Sequence, residues 1–192
     1  MVAPWRQVSE EPLPQLGHTE DSHFEALFLH GLDTPPELRA ALATIGVDLE
    51  RLVKRYPSTL FNASVDLARS YLYATASSRE AADRELGRKF AAGFMRTIPG
   101  KLLNVALPFL SIRALLSRLP RYARLGRDDL TVETEPGQDG GLRLLVVDPA
   151  TARPFFFLGA LEQALDRLSQ PYRTTLVQVD AWRFEVHVTW HE

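Results

Sequence analysis

Between residues 34 and 119 the apolar positions recur at helical spacing, and from about residue 128 the period drops to two. Thr34-Pro35-Pro36-Glu37 has the spacing of a capping box with proline at the first helical position. Leu38, Leu42 and Ile45 form the stripe behind it, and Gly46 is the expected stop. Asp48 is placed to cap a second helix with Leu49, Leu52 and Val53 facing inward, ended by Tyr56-Pro57. Ser58 caps a third, carrying Leu60, Phe61, Val65, Leu67, Tyr71 and Leu72. Ser77-x-x-Glu80 opens the longest pattern, in which Leu86, Phe90, Phe94 and Ile98 recur every four residues and share one face. Pro99-Gly100 interrupts it, and two shorter helical segments follow at 101–107 and 111–119, bounded by Pro108 and Pro120. Upstream, Phe24, Leu27, Phe28 and Leu29 begin the packed part in a short element whose period decides neither helix nor strand.

In the last third, Leu130 and Val132 alternate with polar neighbours, a turn at Pro136–Gly141 follows, and 142–147 returns as a strand. Phe157–Leu168 has a helical stripe of Leu158, Leu161, Leu165 and Leu168. Trp182, Phe184, Val186, Val188 and Trp190 alternate strictly with polar residues, and the short Asp180-Ala181 link makes this strand the partner of 173–179 in a hairpin. Helices followed by strand–strand–helix–strand–strand, without βαβ alternation, define an α+β chain: an N-terminal helical bundle packed on a small antiparallel sheet. Residues 1–20, with Glu10, Glu11 and Glu20 among prolines 4, 12 and 14, are expected as a flexible or loosely docked extension, and 21–192 as a single domain.

Composition narrows the chemistry by exclusion. The 192 residues contain no cysteine, which removes disulfides, thiolate nucleophiles, Cys-ligated zinc and iron–sulfur clusters. The balance of 22 Lys+Arg against 24 Asp+Glu argues against nucleic acid as a partner. The most apolar run, 102–110, is broken by Asn104 and Pro108 and falls short of the roughly 20 residues of a spanning helix, so no membrane insertion is expected and the location is read as cytoplasmic. The five histidines include no helical HxxxH or HExxH pair, so no metal site is expected. No Gly-x-Ser-x-Gly or other nucleophile arrangement occurs, so no catalytic residue and no enzyme activity is expected.

Two features remain. Arg113, Arg118, Arg121, Arg124 and Arg127 follow one another without an acid until Asp128. They form either a solvated helix face or a patch for an anionic ligand, a nucleotide, an anionic lipid head group or an acidic partner. Phe90 and Phe94, with Phe156 of the 155–157 run and Trp182, either fill the core or line a pocket for an apolar ligand.

Short blocks spread along the chain carry a resemblance. They are Phe24-Glu25-Ala26-Leu27-Phe28, Tyr56-Pro57, Glu80 to Arg88 with its Leu-Gly-Arg end, Gly93 to Lys101, Arg118-Leu119-Pro120-Arg121, Phe156-x-x-Gly159-Ala160-Leu161 and Val188-Thr189-Trp190. Over roughly residues 20–192 this resembles a myxobacterial paralogous family of uncharacterised proteins of about this length. The order of the last five elements also resembles the haem-NO-binding, 4-vinyl-reductase-like and TRAPP group of α+β domains, an analogy of fold. That resemblance implies ligand binding or dimeric assembly. The chain lacks both the Tyr-x-Ser-x-Arg clamp for haem carboxylates and the cysteine cluster of those relatives, so no cofactor is expected. Together these readings lead to a non-enzymatic regulatory or sensory domain that binds a small apolar or aromatic ligand between helices and sheet. The alternative is a protein-interaction module, homodimeric or with another partner, that takes no ligand.

Overall fold

The computed structural model describes residues 16–137, 140–150 and 152–190. In chain order the elements are β1 (His18–Glu20), α1 (Asp21–Phe24) running into a π-helical segment (Glu25–Gly31), α2 (Pro36–Thr44), β2 (Arg55–Pro57), α3 (Ser58–Leu72) and α4 (Arg79–Phe94). Then come α5 (Ile98–Ala106) with a 3-10 turn (Leu107–Phe109), α6 (Ile112–Ala123), β3 (Thr131–Pro136), β4 (Leu142–Val147), α7 (Pro154–Leu165), β5 (Tyr172–Gln178) and β6 (Arg183–Trp190). The architecture is α+β, with a four-stranded antiparallel sheet in the order β3-β4-β6-β5 and a separate β1–β2 pair. The last five elements follow the expected strand–strand–helix–strand–strand order, and β5 and β6 form the hairpin with Leu176 opposite Val186.

Helix starts are written locally, though not always at the expected residue. Ser78 rather than Ser77 caps α4, its Oγ accepting from Ala81 N at 3.1 Å. Thr97 and Ser111 cap α5 and α6 in the same way, accepting from Gly100 N and Ala114 N, each at 3.2 Å. Thr97 also ends the α4 stripe at Phe94, so that Ile98 opens α5 and faces outward instead of extending the row. The capping box at Thr34 does not form, because its buried Oγ1 donates to Phe28 O at 2.6 Å. The helix expected after Asp48 is absent: Asp48 Oδ1 accepts from Glu50 N in a tight turn, and Tyr56 leaves for β2. α6 runs through Pro120, which stands in its last turn where only one intrahelical bond is lost. His18–Glu20, counted with the N-terminal extension, pairs with β2, and Thr19 is fully buried. Residues 1–15 of that extension lie outside the described residues.

Two apolar clusters result, with α7 shared between them. One joins Phe24, Phe28, Leu38, Leu42, Phe61 and Leu86 of the helical half. The other joins Ile112, Leu115 and Leu116 of α6 and Leu161 and Leu165 of α7 to the inward face of the sheet, Leu144, Val146, Phe184 and Val186. Phe156 belongs to the helical cluster, whereas its neighbour Phe157 packs edge-on against Phe184 at 5.4 Å. α4 and α7 cross through Gly87 and Gly159: a methyl at either would overlap a backbone carbonyl of the other helix, Phe156 O or Arg84 O. That close crossing draws the ends of both helices, and the aromatic rings they carry, toward one place.

Candidate functional site

Where the two clusters meet they leave a cavity of about 180 Å³. Its helical wall is a chain of rings: Phe61 from α3, Phe90 and Phe94 from α4, and Phe156 from α7, with centroid separations of 6.0 Å for Phe61–Phe90, 5.4 Å for Phe90–Phe156 and 6.0 Å for Phe90–Phe94. The opposite wall is Phe184 of β6, and the outer wall is Leu103 of α5 with Leu115 and Leu119 of α6. Phe61 meets Phe90 edge-on and the other two pairs are tilted, contacts that hold the rings' mutual geometry.

His23, on α1, joins the ring wall, 5.0 Å from Phe90 and 5.7 Å from Phe61. Burial, reinforced by the nearby Arg127 charge, pushes its pKa down to about 3, so the imidazole is neutral across the physiological range. Its Nδ1 is buried, and among the described residues it has no hydrogen-bond partner. The ring fits because residue 126 is glycine; any side chain there would overlap the imidazole.

A polar edge completes the cavity. Arg127 donates to both Asp148 oxygens, at 3.0 and 2.7 Å, and its Nε donates to Asp129 at 3.0 Å. Burial alone would lower the Arg127 pKa; the hydrogen bonds and charge of Asp148 and Asp129 outweigh it and hold the pKa above its ordinary value. Arg153 donates through Nη2 to Asn62 O at 2.8 Å and to Asp66 at 2.7 Å, while its buried Nη1, 3.9 Å from Asp83, has no hydrogen-bond partner among the described residues. These cations therefore tie elements together: Arg127 joins the segment after α6 to the end of β4, and Arg153 joins the start of α7 to α3.

Of the pocket residues expected from the sequence, Phe90, Phe94 and Phe156 stand on the cavity wall. Trp182 lies elsewhere, partly exposed in the turn between β5 and β6. The arginine series does not stay together. Arg118, Arg121 and Arg124 are exposed on the outer side of α6 and at its end. Arg113 sits over the Trp190 ring at 5.3 Å and donates to Gly140 O, and Arg127 is buried in the cavity edge. His23 and Asp148 escaped sequence reasoning: a lone histidine in a segment of undecided period carries no spacing signal, and Asp148 meets Arg127 only through the sheet. Among the described residues no group of three or more His, Asp or Glu is gathered as a metal site.

No curated protein matches this sequence. Solved structures share the fold over nearly the whole chain. A variant of an H-NOX protein from S. oneidensis in the Fe(II) ligation state superposes with TM-score 0.66 at 12% identity, covering 90% of this chain and 96% of that one. An Fe(II) unliganded H-NOX protein variant from K. algicida gives 0.63 at 16%, covering 90% and 97%. A structure determined to study haem redox potential under protein-induced porphyrin distortion gives 0.62 at 14%, covering 89% and 92%. At these identities the likeness is one of fold, and it agrees with the haem-NO-binding analogy drawn from element order. Residues 18–191 match the profile of a family described as "Protein of unknown function (DUF2378)", and the chain belongs to that family.

Proposed function

We propose that this chain is a non-enzymatic sensory domain whose signal is a small apolar or aromatic molecule held in the cavity between the helical bundle and the sheet. The observation that carries this reading is the cavity itself. Its wall is a set of aromatic rings drawn from three helices, and it lies on the seam between two otherwise closed cores. An occupant would touch α3, α4, α6, α7 and β6 at once, so its arrival changes the packing of both halves. The likeness to H-NOX structures supports a ligand-binding role through the fold alone.

Haem itself does not fit these residues. Drug-sized ligands take roughly 300–1,000 Å³, and a porphyrin is at least that large, whereas this cavity is about 180 Å³. His23 is packed against Phe61, Phe90 and Phe94 within 6.1 Å, which leaves no room for a macrocycle beside its ring. Arg127 and Arg153 are already paired with carboxylates and so are taken as partners for propionates. A single-ring molecule suits the space, since an apolar cavity of about 150 Å³ accepts benzene.

Native mass spectrometry of the protein with toluene, indole and phenol tests the reading. One bound molecule per chain is expected, and Ala160→Leu, which fills the cavity, abolishes it while leaving the circular dichroism spectrum unchanged. Failure of every single-ring probe to bind, or equal binding by Ala160→Leu, would falsify the proposal.

A further inference from the structure

The outer side of α5 and α6 carries a feature that the cavity does not use. Ile98, Leu102, Val105 and Phe109 are 80, 77, 74 and 85% exposed. Their spacing of four, three and four places them along one face of α5 and its 3-10 extension. Large side chains displayed in a row like this mark an interaction surface. The same helix turns Leu103 inward, against the cavity wall it shares with Leu115 and Leu119 of α6. α5 and α6 are thus consecutive elements, separated only by the Leu107–Phe109 turn and two further residues, that both contribute to that wall.

The stretch of chain that contains α5 and α6 carries charge of one sign. From residue 86 to residue 127 the sequence has nine Lys and Arg and no Asp or Glu. Some of these cations have carboxylate partners within the chain: Arg88 pairs with Glu162 and Asp166, Lys89 with Glu85 at the surface, and Arg127 with Asp148. Lys101, Arg118, Arg121 and Arg124 are exposed, and among the described residues none of them forms an ion pair.

The geometry points to docking on an anionic lipid bilayer, with the α5 stripe seated in the interface and Lys101, Arg118, Arg121 and Arg124 set against acidic head groups. An apolar ridge flanked by cations is the composition of interfacial helices. With nine residues, α5 can lie in an interface but not cross it, and no helix among the described residues is long and apolar enough to span a membrane. A second copy of the chain is a poorer occupant. A two-fold contact presents the same patch from both sides and would bring the four cations against their own kind. The docked helix also supplies Leu103 to the cavity wall, which places that wall near a medium where apolar molecules concentrate. Docking itself does not depend on what the cavity holds.

Co-sedimentation of the full chain with phosphatidylglycerol/phosphatidylcholine vesicles, and with phosphatidylcholine vesicles alone, tests the proposal. Binding to the acidic vesicles that weakens as salt is raised is expected, with little binding to the neutral ones. Arg118→Gln/Arg121→Gln should lower the partition coefficient about thirtyfold. Leu102→Ser/Phe109→Ser should lower it at least as far, and both variants change exposed residues only, so circular dichroism and thermal midpoint should stay as in the parent. Equal binding to neutral vesicles, no binding to acidic ones, or retention of binding by both variants overturns it. So does a concentration-dependent dimer in analytical ultracentrifugation that Leu102→Ser/Phe109→Ser dissolves, which would assign the stripe to a second copy.

Discussion

His23 shows how one side chain is set by its surroundings. In an unfolded chain its pKa is near 6.5, and in the fold burial takes it to about 3. Between those values the unfolded state binds the extra proton, so stability falls as the pH is lowered from about 6.5 toward 3, by about 1.4 kcal/mol per pH unit. His23→Leu removes that proton. Urea unfolding at neutral pH and again near the middle of this window should show the parent losing stability and the variant holding most of it. Equal losses in both would mean that His23 is protonated in the fold. The three phenylalanines around it were partly legible in advance, because Phe90 and Phe94 lie one helical turn apart and so share a face. Their meeting with His23 was not, since that requires a glycine at position 126, distant in sequence, to leave the space.

At the level of elements, α4 and α7 are held by packing and by charge at the same crossing. Glu162 of α7 is almost fully buried, and its carboxylate accepts from Arg84 Nε at 2.7 Å, Arg88 at 3.0 Å and Thr174 of β5 at 3.0 Å. Glu162→Gln leaves two guanidiniums facing a neutral amide. Breaking a buried pair costs roughly 3–5 kcal/mol when both partners are enclosed. Here Arg84 and Arg88 are 47 and 31% exposed, which reduces the loss to about 2 kcal/mol, measurable as a lower urea midpoint. Helix and strand periods were readable because each is a local repeat. The exceptions share a cause. Thr34 and Asp48 spend their side-chain oxygens on nearby backbone groups that compete with capping, and Ile98 is separated from its apparent row by the Thr97 cap.

For the whole molecule, the cavity lies where the helical cluster and the sheet cluster fail to close on one another, and an occupant would bind the native state alone. At a hundredfold excess over its dissociation constant such a ligand adds about 2.7 kcal/mol. For a domain of this size that raises the midpoint by roughly 5–10 °C, which scanning calorimetry with a single-ring probe would detect. An unchanged midpoint at saturation would remove the cavity from consideration as a binding site. The α+β class, the hairpin order and the exclusion of thiolate chemistry are all properties of local period or composition, and the sequence alone determined them. The rest is long-range. Which of five clustered arginines is buried, whether four phenylalanines fill a core or wall a cavity, and which face of α5 is left uncovered depend on neighbours tens of residues away. Only the packing of the two clusters through α7 decided them, because burial and ion pairing belong to pairs of residues and not to positions along the chain.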